Sequence, residues 1–477
     1  MIAWIGLIAF IILMIGLGTL AMRRTMTREE FFTGGWRLSP YLFACSLAAA
    51  SASGWAYIGA PGVGYSYGVI ELLSTPIAWI PGIFLVVYFA VPYYKSWIAK
   101  YKATSIGDLI GYTHGDSNAL RALVAALIFI MYMMFVTAQF KAAGAILSRM
   151  LGIPTLFAIL VFMIITIIYV TQGGLRAVMY TDVVSIVWMI AACFLCIYII
   201  FAAVGGFGPL FERAAAIDPE LVYPTTGVPY ASTVPWTFVA IVIAYTAFQF
   251  APSFSQKYIS VAEMPATRRA TVATIVSLLT LLTSFPVLVG LTARVVLPGL
   301  ADPDTALPEM FSRYLPEALM VFGSLGIVNA IISSVDSYLI ASCANFETAL
   351  KPVWEKYKVS DRTRFWVSRL LVIILALCSL TWVITRPPEL LAYLAIIGST
   401  GLAAVLTGPL FLRLFWKEGG TRNGALISII VTYIIYIYLE YIYIFNWIEN
   451  AVIGMAISVV LYVGISKLEK AGAKGKK

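Results

Sequence analysis

The sequence predicts an all-α polytopic membrane protein, and two observations predict it: composition and the length of the apolar runs. Of the 477 residues, 61% are hydrophobic and 12% are charged, and the mean hydropathy is +0.92. Soluble domains carry about 25% charged residues. The apolar residues form runs of about 20, which is the length that an α-helix needs to cross a bilayer. The composition therefore excludes an ordinary soluble fold.

Thirteen apolar segments are long enough to span, and we number them in chain order. Their approximate bounds are 2–22, 39–60, 69–93, 119–146, 152–170, 181–204, 235–258, 269–296, 318–350, 364–384, 387–414, 422–442 and 447–466. Segment 1 has no small-residue cleavage site, so we expect a retained helix and not a signal peptide.

Basic residues follow the odd-numbered segments. They are Arg23, Arg24, Arg28 and Arg37; Lys95, Lys100, Lys102 and Arg121; Arg176; Lys257, Arg268 and Arg269; Lys351, Lys356, Lys358, Arg362 and Arg364; Arg413, Lys417 and Arg422; and Lys467, Lys470, Lys474, Lys476 and Lys477. The opposite loops carry only Arg149, Arg213, Arg313 and Arg386. The positive-inside rule then predicts a cell-membrane protein with its N-terminus outside and its C-terminus in the cytoplasm, which thirteen spans satisfy. The net charge of +9 is thereby explained without a nucleic-acid partner.

Segments 2 and 7 read as discontinuous helices. Segment 2 continues from Ser51-Ala-Ser-Gly-Trp55 into Gly59-Ala-Pro-Gly-Val-Gly64, and segment 7 contains Gln249-Phe-Ala-Pro-Ser-Phe-Ser-Gln256. Glycine and proline interrupt helices. Because the two breaks lie five segments apart, segments 2–6 and 7–11 would enter the membrane from opposite faces, as inverted repeats of secondary transporters do. Ordinary proline kinks explain either break alone, but not the matched positions.

A polar stripe runs along segment 9. Ala330, Ser333, Ser334 and Ser337 have the i, i+3, i+4, i+7 spacing of one helix face, and Asp336 lies three residues after Ser333. An ionised aspartate at the bilayer centre costs about 2.5–3.5 kcal/mol on insertion scales, so such residues usually face an ion or substrate path. Oxygen ligands suit a hard cation such as sodium. The alternative is close packing of helices through small residues.

Other chemistry finds little support in the sequence. The single histidine, His114, excludes bis-histidine haem ligation, and no phosphate-binding glycine loop is present. We therefore expect a transporter and not an enzyme.

Four stretches resemble the sodium:solute symporter family, which contains the proline, pantothenate and sodium/glucose transporters. They are Phe31-Phe-Thr-Gly-Gly-Trp-Arg-Leu38, Ser51-Ala-Ser-Gly-Trp55 with Gly59-Ala-Pro-Gly62, Gly173-Gly-Leu-Arg-Ala-Val178 with Thr181-Asp182, and Ala330-Ile-Ile-Ser-Ser334. The resemblance implies a leucine-transporter-like fold with two inverted five-helix repeats. We expect a single transmembrane transporter domain over 1–477. Its parts are an extra first helix and loop (1–38), repeat one (39–204), repeat two (235–414), two extra helices (415–466) and a basic cytoplasmic tail (467–477).

The resemblance also implies one sodium ion between the two repeats. The matching ligands here are the carbonyls of Ala49, Ala52 and Ala330 and the hydroxyls of Ser333 and Ser334. The chemistry is reasonable without the family, because carbonyls freed by a helix break need partners and a cation supplies them.

Some family members bind a second sodium, and its matching positions are Asp182, Asp336 and Ser337. Asp336 replaces a serine of the family pattern. The added charge predicts either a second sodium site or two carboxylates that share a proton. An ion pair between Asp336 and a basic residue is the structural alternative, but segment 9 carries no basic residue at that depth.

The broken helices should frame a solute pocket near the midplane. The candidate residues are Ser53, Trp55, Tyr57, Glu71, Gln139, Tyr245, Phe248 and Gln249. An intramembrane carboxylate at Glu71 would accept hydrogen bonds from hydroxyls or an ammonium group. Lys257 is expected on the cytoplasmic side, away from any solute carboxylate.

The predicted function is sodium-coupled symport of a small organic solute, an amino acid or a carboxylate such as pantothenate. Trp36 replaces a basic residue of the family pattern, and Ser51 stands where proline transporters have an acidic one, so proline itself is disfavoured. A sodium-coupled sugar symporter, or a sodium channel or solute sensor on the same fold, is the alternative. A redox-driven pump subunit would need mid-membrane lysine and histidine, for which only Lys141 is available. The partners are the solute, sodium and the lipid bilayer.

Overall fold

The computed structural model describes residues 1–36, 38–224, 236–385, 397–416, 419–441 and 447–474. Within them the backbone is α-helical, apart from short 3-10 and π turns, the loops and a parallel β-bridge between Leu38 and Val261. A helix satisfies its backbone hydrogen bonds within itself, which is what the hydrocarbon interior of a bilayer demands. The all-α prediction is confirmed for these residues.

We number the helices in chain order. They are α1 (Ile2–Met22), α2 (Arg28–Thr33), α3 (Pro40–Ala52), α4 (Gly59–Tyr67), α5 (Ile70–Leu85), α6 (Val91–Tyr101), α7 (Ile106–Thr113), α8 (Asn118–Leu151), α9 (Thr155–Val204), α10 (Phe207–Ile217), α11 (Trp236–Phe248), α12 (Pro252–Ser260), α13 (Arg268–Val296), α14 (Ala306–Tyr314), α15 (Glu317–Ala349), α16 (Lys351–Lys356), α17 (Asp361–Thr385), α18 (Leu402–Leu406), α19 (Arg422–Tyr441) and α20 (Trp447–Lys474).

Nine helices in the described part of the chain are long and apolar enough to span a membrane, and α11 with α12 makes a tenth, bent span. The predicted thirteen differ for identifiable reasons. Segments 5 and 6 run together as the 50-residue α9, which is interrupted only at Gly174 (φ 56°). Segment 2 is divided between α3 and α4. Residues 387–396 of segment 11 lie outside the described residues, and the count of thirteen stays a prediction.

Some other sequence predictions fall on positions that the structure does not describe. These positions are Arg37, Arg386, Lys417, Lys476 and Lys477, together with residue 235 of segment 7 and residue 442 of segment 12.

Both predicted breaks are present in the structure. Helix α3 ends at Ala52, Ser53 has φ 56°, and a 3-10 turn over Gly54–Tyr57 leads into α4. Helix α11 ends at Phe248 and α12 begins at Pro252, with a bend of 44° between them. Proline is well suited to the first turn of a new helix, where its missing N–H has no partner to lose.

Glycines bring α4 and α13 into backbone contact. A Cβ on Gly64 would lie 2.1 Å from the carbonyl oxygen of Val287, and one on Gly290 would lie 1.9 Å from that of Pro61. Two reciprocal approaches of this kind leave no room for any side chain, and they fix α4 against α13 beyond the first break.

Gly290→Ala should therefore lower the melting temperature of the purified protein. Its methyl group would force the two backbones apart, and overpacking of this kind costs about 1–3 kcal/mol. Thermal unfolding in detergent, followed by tryptophan fluorescence, measures the change. Gly16→Ala is the matched control, since an added Cβ there meets no described atom within 4 Å. Equal melting temperatures for the two variants would contradict the packing argument.

Candidate ion and solute site

The last carbonyl groups of α3 lie at the first break, where a helix runs out of backbone donors. The Ala49 carbonyl oxygen still accepts from Ser53 N–H at 3.2 Å. Two serines of α15 reach these carbonyl groups. Ser333 Oγ lies 3.1 Å from the Ala49 carbonyl oxygen and 2.8 Å from that of Ala330, and Ser334 Oγ donates to the Ala50 carbonyl oxygen at 3.0 Å. All of these residues are buried. The polar stripe of α15 therefore packs directly on the broken end of α3.

This contact contains most of the predicted sodium ligands. Ala49, Ala330 and Ser333 are in hydrogen-bond contact, and Ala52 is the last residue of α3. Ser334 contacts Ala50, which the sequence prediction did not include. The candidate ligands are carbonyl and hydroxyl oxygens from two helices, and oxygen ligands suit a hard cation.

A buried ion pair lies at the predicted second cation position. Lys257 Nζ lies 2.8 Å from Asp182 Oδ2, 2.9 Å from the Ser46 carbonyl oxygen and 2.7 Å from Ser46 Oγ. Ser46 Oγ also donates to Asp182 Oδ2. The lysine and aspartate side chains are fully buried.

Lys257 was expected on the cytoplasmic side, and its side of the membrane stays a prediction, but its side chain is fully buried. All nine residues of α12 (Pro252–Ser260) are buried against neighbouring helices, so a lysine in its last turn points into protein and not into water. The signal in the sequence was that Lys257 lies inside segment 7 and not after it.

Asp336 lies beside this pair. Tyr169 OH donates to Asp336 Oδ2 at 2.7 Å, and Ser337 Oγ lies 3.2 Å from Oδ1. Asp182 and Lys257 are the charged groups that act on Asp336 electrostatically. The predicted residues Asp182, Asp336 and Ser337 are thus brought together, joined by Lys257 and Tyr169, which sequence reasoning missed.

A small cavity lies next to the first break. Its walls are Ser51, Ser53, Trp55, Trp79, Phe135, Tyr245, Phe248, Ser399 and Thr400. The centroid of the Tyr245 ring is 5.8 Å from that of Trp55 and 5.7 Å from that of Trp79. With a volume of about 30 Å³ the cavity has room for a water molecule or two. A solute therefore enters only if these side chains move.

Four of the eight predicted solute residues line this cavity: Ser53, Trp55, Tyr245 and Phe248. Sequence reasoning did not assign Trp79, Phe135, Ser399 or Thr400 to it. For the last two a signal was available in Gly398-Ser-Thr-Gly401, a small and hydroxyl-rich stretch of the kind found at close helix contacts.

The other four predicted solute residues are buried outside the cavity wall. Tyr57 OH donates to the Met189 carbonyl oxygen at 3.0 Å, and Tyr245 OH donates to Glu71 Oε1 at 3.4 Å. Gln139 Oε1 and both amide atoms of Gln249 have no hydrogen-bond partner among the described residues. Buried amides are normally hydrogen-bonded. The side-chain amides of Gln139 and Gln249 are therefore candidates to bind a polar group of a solute.

This architecture, a helical membrane bundle with two broken helices beside a buried oxygen-lined site, is typical of a secondary transporter. The family model of the sodium:solute symporter family matches residues 31–432. The chain belongs to the sodium:solute symporter family, and it is a sodium-coupled solute symporter.

Known proteins agree with this identification. The chain is 25% identical to a sodium/pantothenate symporter of Escherichia coli over 438 residues, covering 90% of this chain and 89% of that one. It is 26% identical to an osmoregulated proline transporter of Bacillus subtilis over 440 residues, covering 90% and 86%. A solved sodium-coupled sialic acid symporter has the same fold, with a TM-score of 0.82, 21% identity and 98% of both chains covered.

Gln249→Leu should leave the solute-free protein as stable as before or more stable, because it removes a buried amide that has no described partner. Solute affinity should fall at least tenfold if the amide serves the solute. Melting temperature and equilibrium binding of labelled solute measure the two effects.

Gln256→Leu is the matched control on the other side of the break. Gln256 Nε2 donates to the carbonyl oxygens of Phe32 and Thr104, at 2.8 and 2.7 Å, while its Oε1 has no partner among the described residues. Its loss leaves two buried acceptors unsatisfied, which costs about 1–3 kcal/mol each. If Gln249→Leu destabilised the protein as much as Gln256→Leu, the amide of Gln249 would be a structural group.

Proposed function

We propose that this chain imports a small organic carboxylate, with pantothenate as the leading candidate and amino acids next, together with sodium by alternating access. One observation carries the proposal: the carbonyls of Ala49 and Ala50 that meet the α15 serines are followed at once by Ser51 and Ser53, which line the aromatic cavity. Ion and solute would thus bind to the same helix break, where each affects the other.

The proposed sodium ligands are the carbonyls of Ala49, Ala52 and Ala330 and the hydroxyls of Ser333 and Ser334. In the structure Ser334 Oγ donates to the Ala50 carbonyl oxygen, and Ser333 Oγ lies 3.1 Å from the Ala49 carbonyl oxygen and 2.8 Å from that of Ala330. On ion binding they would turn their lone pairs toward the cation, and the carbonyls would exchange a hydrogen bond for a stronger charge interaction.

The chemistry of the cavity supports a carboxylate that also carries apolar and hydroxyl groups. Aromatic rings accommodate an apolar body, while four serine or threonine side chains, Ser51, Ser53, Ser399 and Thr400, offer hydroxyl donors. The described lining residues carry no formal charge, so the neighbouring sodium would balance the solute carboxylate. Two of the relatives are sodium/pantothenate symporters, from Escherichia coli and Haemophilus influenzae.

The finer topology belongs to the same proposal. It comprises thirteen spans with the N-terminus outside and the C-terminus in the cytoplasm, repeat one over 39–204 and repeat two over 235–414. The two breaks, one in α3–α4 and one in α11–α12, support the repeat assignment because they take equivalent places in the two halves. We assign no enzymatic reaction to the chain.

Counterflow in proteoliposomes tests the solute. Vesicles loaded with unlabelled pantothenate should accumulate labelled pantothenate only in the presence of sodium, and an excess of proline or glucose should not compete. Pantothenate exchange that is independent of sodium would contradict the coupling. If pantothenate were not exchanged and proline or glucose were, the solute would be proline or glucose and not pantothenate.

Ser333→Ala and Ser334→Ala should each raise the sodium concentration for half-maximal uptake about tenfold or more. Each change removes one ligand, and a hydrogen-bond-strength contact to a charged group contributes about 1.5–3 kcal/mol. Sodium titration of uptake measures the effect. The control is Ser342→Ala on the same helix, whose buried hydroxyl has no partner among the described residues. Wild-type sodium dependence in both site variants would refute the ligand assignment.

A further inference from the structure

The ammonium group of Lys257 has the hydrogen-bond environment of a bound cation. An ammonium carries three donors and no acceptor. Three oxygens lie within 2.9 Å of Nζ, namely Asp182 Oδ2, the Ser46 carbonyl oxygen and Ser46 Oγ. Its donors are therefore fully used without water, in a place where the side chain is completely buried.

The position of this ammonium coincides with the ion position that the resemblance implied. Asp182 was predicted as the acidic ligand of a second sodium, and its Oδ2 already accepts from both Lys257 and Ser46. Asp182 Oδ1 has no partner among the described residues. A sodium ion bound to either carboxylate oxygen would lie next to a fixed positive charge in a region of low dielectric, where like charges repel strongly. The residues present do not suit a second sodium while Lys257 is there.

We propose that Lys257 is a tethered cation that takes the place of the second sodium, so that the symporter binds and moves one sodium ion per solute. The inference rests on the proposed function and specifies its ion stoichiometry.

Formal charge supports this assignment. Asp182 and Lys257 cancel, so the ion pair needs no further cation. Asp336 lies one helical turn from Ser333, and Ser337 Oγ, 3.2 Å from Asp336 Oδ1, is also 2.9 Å from the Ser333 carbonyl oxygen. Without the lysine, the carboxylate of Asp182 would need another cation in its place.

The fold explains how a lysine reaches this place. The chain bends by 44° between α11 and α12, and α12 then packs with every residue buried. Lys257 thereby joins α12 to Ser46 on α3 and to Asp182 on α9. Since the ammonium is covalently attached, it stays in the membrane throughout the cycle and adds nothing to the transported charge.

The test counts sodium ions bound at equilibrium to the purified full-length chain, with radioactive sodium as the probe. We expect one ion per wild-type chain and two per Lys257→Met chain, because methionine keeps much of the side-chain volume and removes the charge. The double variant Lys257→Met/Asp182→Asn should return to one. The sodium dependence of solute binding should steepen from a Hill coefficient near one to a value approaching two in Lys257→Met alone.

Lys95→Met is the matched control. Lys95 Nζ donates to the carbonyl oxygens of Trp36 and Ile259, at 3.2 and 3.0 Å. Lys95→Met breaks no salt bridge to a carboxylate among the described residues, so the number of bound sodium ions should stay at one per chain.

Two ions bound to the wild-type chain would overturn the inference, even if Lys257→Met does not fold. A folded Lys257→Met chain that still binds one ion would also overturn it. A wild-type chain that binds no sodium would instead refute the proposed function, so the two failures are distinguishable.

Discussion

The structure depends on one constraint: backbone polar groups inside a membrane protein must find partners within the protein. An uninterrupted helix is the simplest way to pair them. The two helix breaks depart from it and leave backbone polar groups that other parts of the protein must pair. At the first break, Ser334 Oγ donates to the Ala50 carbonyl oxygen, and Ser333 Oγ lies within hydrogen-bond distance of the carbonyl oxygens of Ala49 and Ala330. At the second, Tyr258 OH donates to the Gln249 carbonyl oxygen. Each of these contacts places oxygen atoms next to an interrupted helix, where the proposed cation and solute would find ligands.

Charged side chains in the interior also need partners within the protein, and leaving one unpaired costs more free energy than leaving a backbone group unpaired. An uncompensated buried carboxylate is strongly unfavourable, so buried charges are found paired or hydrogen-bonded. Asp182 has Lys257 and Ser46, while Asp336 has Tyr169 and Ser337. These contacts join helices that the breaks would otherwise leave loosely connected. Under the proposed stoichiometry, the same contacts would decide how many mobile cations the protein binds.

The cavity shows the opposite arrangement, in which polar groups are left without described partners. Gln139 Oε1 and the side-chain amide of Gln249 are buried and unpaired among the described residues, close to an aromatic pocket too small for a solute. Unsatisfied buried groups lower stability, and function is the usual reason that a protein retains them. A solute that separates the aromatic rings and pairs these amides would thus bind with energy that the solute-free protein lacks.

The sequence by itself determined the membrane class, the two breaks, the polar stripe of α15 and the family, because these depend on local composition and spacing. Ala49, Ala330 and Ser333 could be assigned together from motifs alone. Tertiary structure decided the rest. Lys257 and Asp182 are 75 residues apart, and their pairing depends on the direction in which α12 leaves the break. Tyr169, Trp79 and Thr400 reach their sites only through the packing of separate helices, which no local pattern encodes.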